Sequence, residues 1–154
     1  MYRGNHPAKV DEKGRLKLPS AFKLQLDAAH VTHLYITSTD GARAEIWPLA
    51  VWEKQEARLV EASTMDEAVA KFLDHTSYYG QEVEIDGQAR VVLPQILREK
   101  AGLDAEVAVM GKIDHLEVCN EKFFEQQLES HPLTAEDRRA VSAILRGQAE
   151  VKNP

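Results

Sequence analysis

From Lys13 to Pro19 the chain alternates. Lys13, Arg15 and Lys17 are charged, while Leu16 and Leu18 are apolar. A period of two predicts a half-buried strand, with the leucines inward and the cations outward. Pro19 ends that strand, because proline cannot donate to a ladder and suits the start of a helix. A short helix is predicted over about Ser20 to Ala28. The pattern returns at Ile85 to Pro94, followed by a predicted helix from Gln95 to Ala101 with Gly102 as its stop. Leu34 to Thr37, Glu45 to Trp47, Val107 to Met110 and Glu117 to Cys119 read as further strands. Asp40-Gly41 and the stretch around Asp114 read as hairpin turns.

Between Leu49 and Tyr79 the pattern becomes helical twice. Trp52, Leu59 and Val60 are placed on one face of the first helix. Thr64 and Glu67 form a capping-box signal ahead of Val69, Phe72 and Leu73 in the second. A last helix is predicted after Pro132. Its Val141, Ile144 and Leu145 make an apolar stripe of the kind that faces a core or a neighbouring subunit.

These elements repeat. Val10 to Pro19 laid over Ile85 to Pro94 aligns Asp11 with Asp86, Arg15 with Arg90 and Pro19 with Pro94, each 75 residues apart. Glu45 and Glu117, and Trp52 and Phe124, match at a separation of 72, so the first copy holds three more residues in its loops. Residues 5–52 and 78–124 are therefore expected as two copies of one unit, with 53–77 a helical connector and 125–154 a helical tail. A copy of about 45–50 residues hardly stabilises a core alone, and the single cysteine, Cys119, offers no intramolecular disulfide to compensate. The expected fold is mainly β with peripheral helices (α+β). Its two copies bury their apolar faces against each other in one pseudo-twofold barrel, with the two Asp-x-x-x-Arg turns close together.

Composition alters this picture little until charge is placed along the chain. The 154 residues are 44% hydrophobic and 29% charged, an ordinary globular balance. The lone cysteine fits a reducing cytosol. No apolar stretch at the N-terminus resembles a signal peptide and none elsewhere is long enough to span a membrane, so a soluble, cytoplasmic protein is expected. A net charge of −6 argues against a nucleic-acid partner only while it is averaged. Residues 1–23 hold six basic side chains against two acidic ones, an excess of +4 that leaves −10 for the rest. A basic face on an acidic body can attract phosphate locally.

The turn between Asp11 and Arg15 is Glu12-Lys13-Gly14, with Gly14 where a three-residue hairpin needs a positive φ. Asp11 and Arg15 suit a cross-strand ion pair that fixes the turn, which if exposed contributes only about 0.2–1 kcal/mol. The same face also carries Lys13 and Lys17, with Lys9 and Arg3 close in sequence. A two-stranded ribbon fits the major groove, where arginine can grip guanine O6 and N7 while lysines meet phosphates. Candidate DNA contacts are thus Arg3, Lys9, Lys13, Arg15, Lys17, Gln88 and Arg90, and candidate turn-forming residues are Asp11, Gly14, Asp86 and Gly87. The second turn, Gly87-Gln88-Ala89, is the weaker one. It lacks lysine, its glycine comes first rather than last, and Val92 stands in the place of Lys17. The first copy is expected to supply most of the affinity.

The residues that now stand together resemble the MraZ family. They are Gly4 to Pro7, Asp11 to Pro19, Tyr79 to Gly87 and Gly111 to Val118. The likeness covers nearly the whole chain, and paired Asp-x-x-x-Arg motifs at this separation are specific. It implies a tandem, intrachain version of the AbrB-like swapped-hairpin fold, a double-split barrel. It also implies rings of several subunits and a transcriptional regulator associated with the nucleoid. Such a regulator would bind short G-rich direct repeats in double-stranded DNA upstream of its own cell-division and cell-wall operon. By position, the family's DNA-contacting arginine falls on Arg15 and again on Arg90, while the departure at Gln88-Ala89 weakens the second loop's claim.

Two other classes compete. An enzyme would need converging groups. His6, His30, His33, His75, His115 and His131 are scattered, and no metalloprotease, serine-elbow, phosphate-loop or paired-cysteine motif occurs. No catalysis, metal, cofactor or small-molecule substrate is expected. A non-catalytic ring-forming scaffold or antitoxin-like module would share the fold, using the helices at 66–77 and 134–147 as partner surfaces.

Overall fold

The computed structural model describes residues 1–62 and 66–147. The first copy folds as β1 (Asn5–Val10), β2 (Arg15–Lys17), α1 (Ser20–Ala28), β3 (His33–Thr37) and β4 (Ala44–Pro48). Two helices follow, α2 (Leu49–Glu61) and α3 (Glu67–Tyr78). The second copy is β5 (Gln81–Glu84), β6 (Arg90–Val92), α4 (Gln95–Ala101), β7 (Ala105–Gly111) and β8 (Leu116–Asn120). Then come α5 (Glu121–Ser130) and α6 (Ala135–Leu145).

Each copy is thus strand, tight turn, strand, helix, strand, turn, strand, the order expected from its pattern. Pro19 and Pro94 sit at the N-caps of α1 and α4 in extended backbone, handing each strand over to its helix. Gly102 closes α4 at φ 64°, the left-handed conformation a helix stop requires.

All eight strands form one antiparallel sheet in the order β5-β3-β4-β8-β7-β1-β2-β6. The β3–β4 hairpin of the first copy lies between β5 and β8 of the second. The β7–β8 hairpin likewise lies between β4 and β1 of the first. This exchange of hairpins curls the sheet into a nearly closed barrel, and Asp86 N–H donates to the Arg90 carbonyl (3.0 Å) where β5 turns into β6.

The interior is shared equally. Leu16, Leu18, Phe22, Leu26, Leu34 and Ile36 from one copy pack with Val91, Leu93, Leu97, Leu103, Val107 and Val109 from the other. Neither half has a core without its partner, which is how 45-residue units escape the size limit. Truncating Leu16, which is fully buried, would cost about 2–5 kcal/mol.

The strand register locates the pseudo-twofold axis. On one side Leu16 pairs with Val91, its own equivalent in the second copy. On the other, Glu45 pairs with Glu117, again its own equivalent. The axis therefore runs from the β2–β6 ribbon through the core to the β4–β8 rung.

The helices depart from expectation in detail. In α2 the inward face is Trp52 and Leu59, whereas Val60 is 74% exposed, one position round the helix from the stripe. Trp52 stacks on Tyr35 (4.9 Å between centroids) and on Phe72 of α3 (6.2 Å). In α3, Val69 and Phe72 turn inward with Thr76, while Leu73 is more exposed. The cap expected from Thr64 falls outside the described residues. Asp66 caps α3 through the Ala68 N–H (2.8 Å). Tyr35 and Thr37 hydroxyls both donate to the Thr76 carbonyl, fixing the end of α3 against β3.

Residues 1–121 form one compact unit, and the described residues from Lys122 onward a second. In the second unit α6 begins with a reciprocal capping box between Thr134 and Asp137. Its apolar stripe, Val141, Ile144 and Leu145, is exposed rather than part of a core among the described residues.

Candidate nucleic-acid interface

The two Asp-x-x-x-Arg turns are built alike, bond for bond. In the first, Asp11 N–H donates to the Arg15 carbonyl (2.9 Å) and Gly14 N–H to the Asp11 carbonyl (2.9 Å). Asp11 Oδ1 accepts from the backbone N–H of Lys13 (3.0 Å) and of Arg15 (2.9 Å). Asp11 Oδ2 accepts from Arg15 Nε at 2.7 Å. In the second, Asp86 accepts from the N–H of Gln88 (2.9 Å) and Arg90 (2.8 Å) and from Arg90 Nε (2.9 Å). The backbone N–H of Arg15 and of Arg90 is the main reason each aspartate holds its pKa below the usual carboxylate value. Each carboxylate therefore braces its turn and aims its arginine at once.

The turns differ in the residue that takes the left-handed conformation. Gly14 does so at φ 79° in the first, as its position predicts. The Arg98 guanidinium packs beside it, with Nη1 2.7 Å from where a Cβ would stand, and a side chain there would push that flexible end aside. In the second turn the left-handed residue is Ala89 at φ 60°, and Gly87 has no positive φ. The left-handed conformation of the second turn is thus supplied by Ala89 and not by Gly87.

β2 and β6 run side by side in the register Arg15–Val92, Leu16–Val91, Lys17–Arg90. The ribbon is tied at both ends by equivalent bonds, Leu18 N–H to the Ala89 carbonyl and Leu93 N–H to the Gly14 carbonyl, each 2.9 Å. Leu16 and Val91 face the core, so Arg15, Lys17, Arg90 and Val92 share the outer face. Arg15 and Arg90 are 31% and 27% exposed, held by their aspartates but open to a ligand. Lys17 stands directly opposite Arg90, a like-charge pair that is unfavourable until an anion lies across it.

Lys9 and Lys17 line a groove of about 610 Å³ with His6 and Ser20 beside the ribbon. Lys13 and Gln88 are exposed at the two turn tips. Arg3 is not among them. Its neighbour Tyr2 bridges Ile113, and β1 then runs six residues from Asn5 to Val10 before the turn begins. Arg3 therefore lies roughly 17 Å or more from the Asp11 turn. Arg98 joins the site unforeseen, since nothing in a helical segment of the second copy announces that it will pack on a turn of the first.

At the other end of the axis Glu45 and Glu117 meet on one rung. Arg43 Nη1 donates to Glu117 Oε1 (3.2 Å), and His115, the repeat equivalent of Arg43, lies 3.3 Å from Glu117 Oε2. Burial raises the pKa of Glu45, although Trp47 Nε1 donates to it. Burial opposes charge on His115, but bonds to Glu117 and Asp114 outweigh it and raise its pKa. The sequence marks Asp114-His115 only as a turn. Both residues lie in the turn between β7 and β8, and the His115 ring also stacks on Trp47 at 3.9 Å.

A barrel closed by exchanged hairpins of a single chain, with a carboxylate-braced arginine turn at each end of one ribbon, defines a tandem swapped-hairpin protein. Comparison with known proteins agrees. The family described as "MraZ protein, putative antitoxin-like" matches residues 1–75 and 80–144. The chain belongs to the MraZ family. It is 52% identical over 142 residues to a protein of Acidobacterium capsulatum named transcriptional regulator MraZ, covering 92% of this chain and 97% of that one. A protein of the same name from Koribacter versatilis is 43% identical over 145 residues, covering 94% and 99% of the two chains. Another from Shewanella oneidensis is 31% identical over 130 residues, covering 84% and 86%.

Among the described residues no helix is long and apolar enough to cross a membrane, and no group of three or more His, Cys, Asp or Glu residues could hold a metal.

Proposed function

We propose that the protein is a sequence-specific DNA-binding transcriptional regulator that places its β2–β6 ribbon in the major groove. The observation that carries this reading is the outer face of the ribbon. Three cations occupy four positions of one small, rigid surface, and two of them oppose each other directly. Asp11 and Asp86 hold their arginines through Nε, so the two-nitrogen end of each fork suits the paired acceptors of guanine. Lys13, Lys9 and Lys17 are placed for phosphates, which fix register without reading sequence. Gln88 extends the second tip in the same way. The names of the relatives support the regulatory role.

The expected target is a set of short direct repeats upstream of the protein's own cell-division and cell-wall operon, engaged in the cytoplasm at the nucleoid. Several subunits in a ring would present successive ribbons to successive repeats, gaining avidity without new contacts. The exposed apolar stripe of α6 is available to such an assembly.

A gel-shift series with duplex DNA from upstream of the gene tests this directly. Wild-type protein should retard the duplex at low salt. An Arg15→Ala protein that keeps its fold should bind at least fivefold more weakly, the lower bound for losing a bidentate guanine contact of about 1–3 kcal/mol. If the wild type ignores DNA at low salt yet forms a complex with a protein partner, the scaffold reading replaces this one.

A further inference from the structure

The pseudo-twofold axis passes through the proposed reading surface, and this raises a question of direction. A ribbon with perfect twofold symmetry presents the same chemistry to a duplex in either orientation. Two such orientations would bind equally. The arginines obey the symmetry, for Arg15 and Arg90 are equivalent, similarly exposed and similarly braced. The residue two positions beyond each arginine does not. It is Lys17 on β2 and Val92 on β6, and both lie on the outer face.

Val92 is 50% exposed in the middle of a cationic strip, directly opposite Arg15. Opposed side chains on such a rung have Cβ atoms about 4.5–5.5 Å apart. Successive bases of a strand rise about 3.4 Å. A base met by Arg15 therefore has its neighbour, or the next one along, within reach of Val92. A valine can neither donate nor accept. The apolar feature that the major groove offers it is the C5-methyl group of thymine.

We infer that Val92 reads a thymine methyl next to the base pair contacted by Arg15, and that the Lys17–Val92 asymmetry fixes the direction in which the protein lies on DNA. This rests on the DNA-binding reading and adds a base class and a polarity to it. Lys17, at the equivalent position, meets an acceptor or a phosphate instead. The duplex is thus held with one particular end toward the second copy. An exposed valine on a strand is otherwise unremarkable, since surfaces carry many single apolar side chains. That bland alternative is what the experiment separates.

The full-length protein is first used to select bound duplexes from a randomised pool. Each thymine of the selected site is then replaced singly by deoxyuridine, which lacks only the methyl group. One position should lose about fourfold in affinity, the effect of uncovering one methyl. The loss should vanish in Val92→Ser and in Val92→Asn, neither of which carries a methyl group to meet that of thymine. Val92→Lys, which makes the four outer positions of the ribbon symmetric in charge, should bind more tightly and steepen the salt dependence by about one unit of slope. It should also weaken the preference for one orientation of an asymmetric site, to which the Lys13–Gln88 difference at the tips still contributes.

If deoxyuridine is tolerated everywhere, or if the loss persists unchanged in both valine variants, Val92 is only a strand residue and the inference fails while DNA binding stands. If the pool yields no bound duplex at low salt, the DNA-binding reading falls and this inference with it.

Discussion

The two arginine turns share every hydrogen bond of their aspartate brace, yet they differ in the residues around it. The first carries Lys13 at its tip, Gly14 at the left-handed corner and Lys17 on the strand. The second carries Gln88, Ala89 and Val92 in those places. What the copies retain is the machinery that shapes a turn and aims an arginine. What they have lost is equality of charge. Architecture and affinity are thus separable here, and the comparison can be broken at either.

The largest difference should come from the arginines. Arg15→Ala is expected to weaken DNA binding by about 5- to 150-fold and Arg90→Ala by less, measured by fluorescence anisotropy at one fixed salt concentration. Equal losses would show that the second turn contributes as much as the first. Next are the corners. Gly14→Ala should cost about 1–2 kcal/mol in thermal or denaturant unfolding, through its positive φ. Ala89→Gly should do the opposite, stabilising by about 0.5–1 kcal/mol, because it relieves a left-handed residue that has a Cβ. If both substitutions destabilise, the second turn is not strained as described.

A smaller effect is expected in salt dependence. Lys17→Val makes the first strand like the second, and the slope of log affinity against log salt should fall by about one. The smallest effect concerns acid. Asp11 and Asp86 both have folded pKa values below the ordinary carboxylate value, held down chiefly by backbone N–H donors. Their contribution to stability is present above the unfolded value of about 3.9 and is lost as pH falls through the folded one. Acid unfolding followed by circular dichroism should therefore lose part of its steepness below about pH 4 in Asp11→Asn, and similarly in Asp86→Asn. Unequal responses would mean that the braces differ in solution.

Much of this was legible because it depends on neighbours in sequence. Alternation at Lys13 to Leu18 set the strand and its inward face. The prolines marked both handovers to helices, and the offset of 75 residues exposed the duplication. The family likeness supplied the interleaving of hairpins, which pattern alone does not specify. What escaped depends on contacts across copies. Arg98 reaches Gly14 from a helix eighty-four residues away. Glu45 and Glu117 meet only because the axis brings one rung onto itself. Arg3 is near the turn in sequence but not in space, since an extended strand carries near neighbours apart. Val60 and Leu73 show the same limit in helices, where a turn of 100° per residue leaves adjacent apolar positions free to part at the edge of a stripe.

Because both halves of the barrel belong to one polypeptide, closing it is a first-order event. A homodimer of such units would come apart on dilution, and its melting temperature would track subunit concentration. Here the partner half is always present, tethered by the connecting helices, so the fold survives at the low copy numbers typical of regulators. Covalent linkage also frees each half to mutate alone, so that opposite sides of a once-equal surface can acquire different jobs.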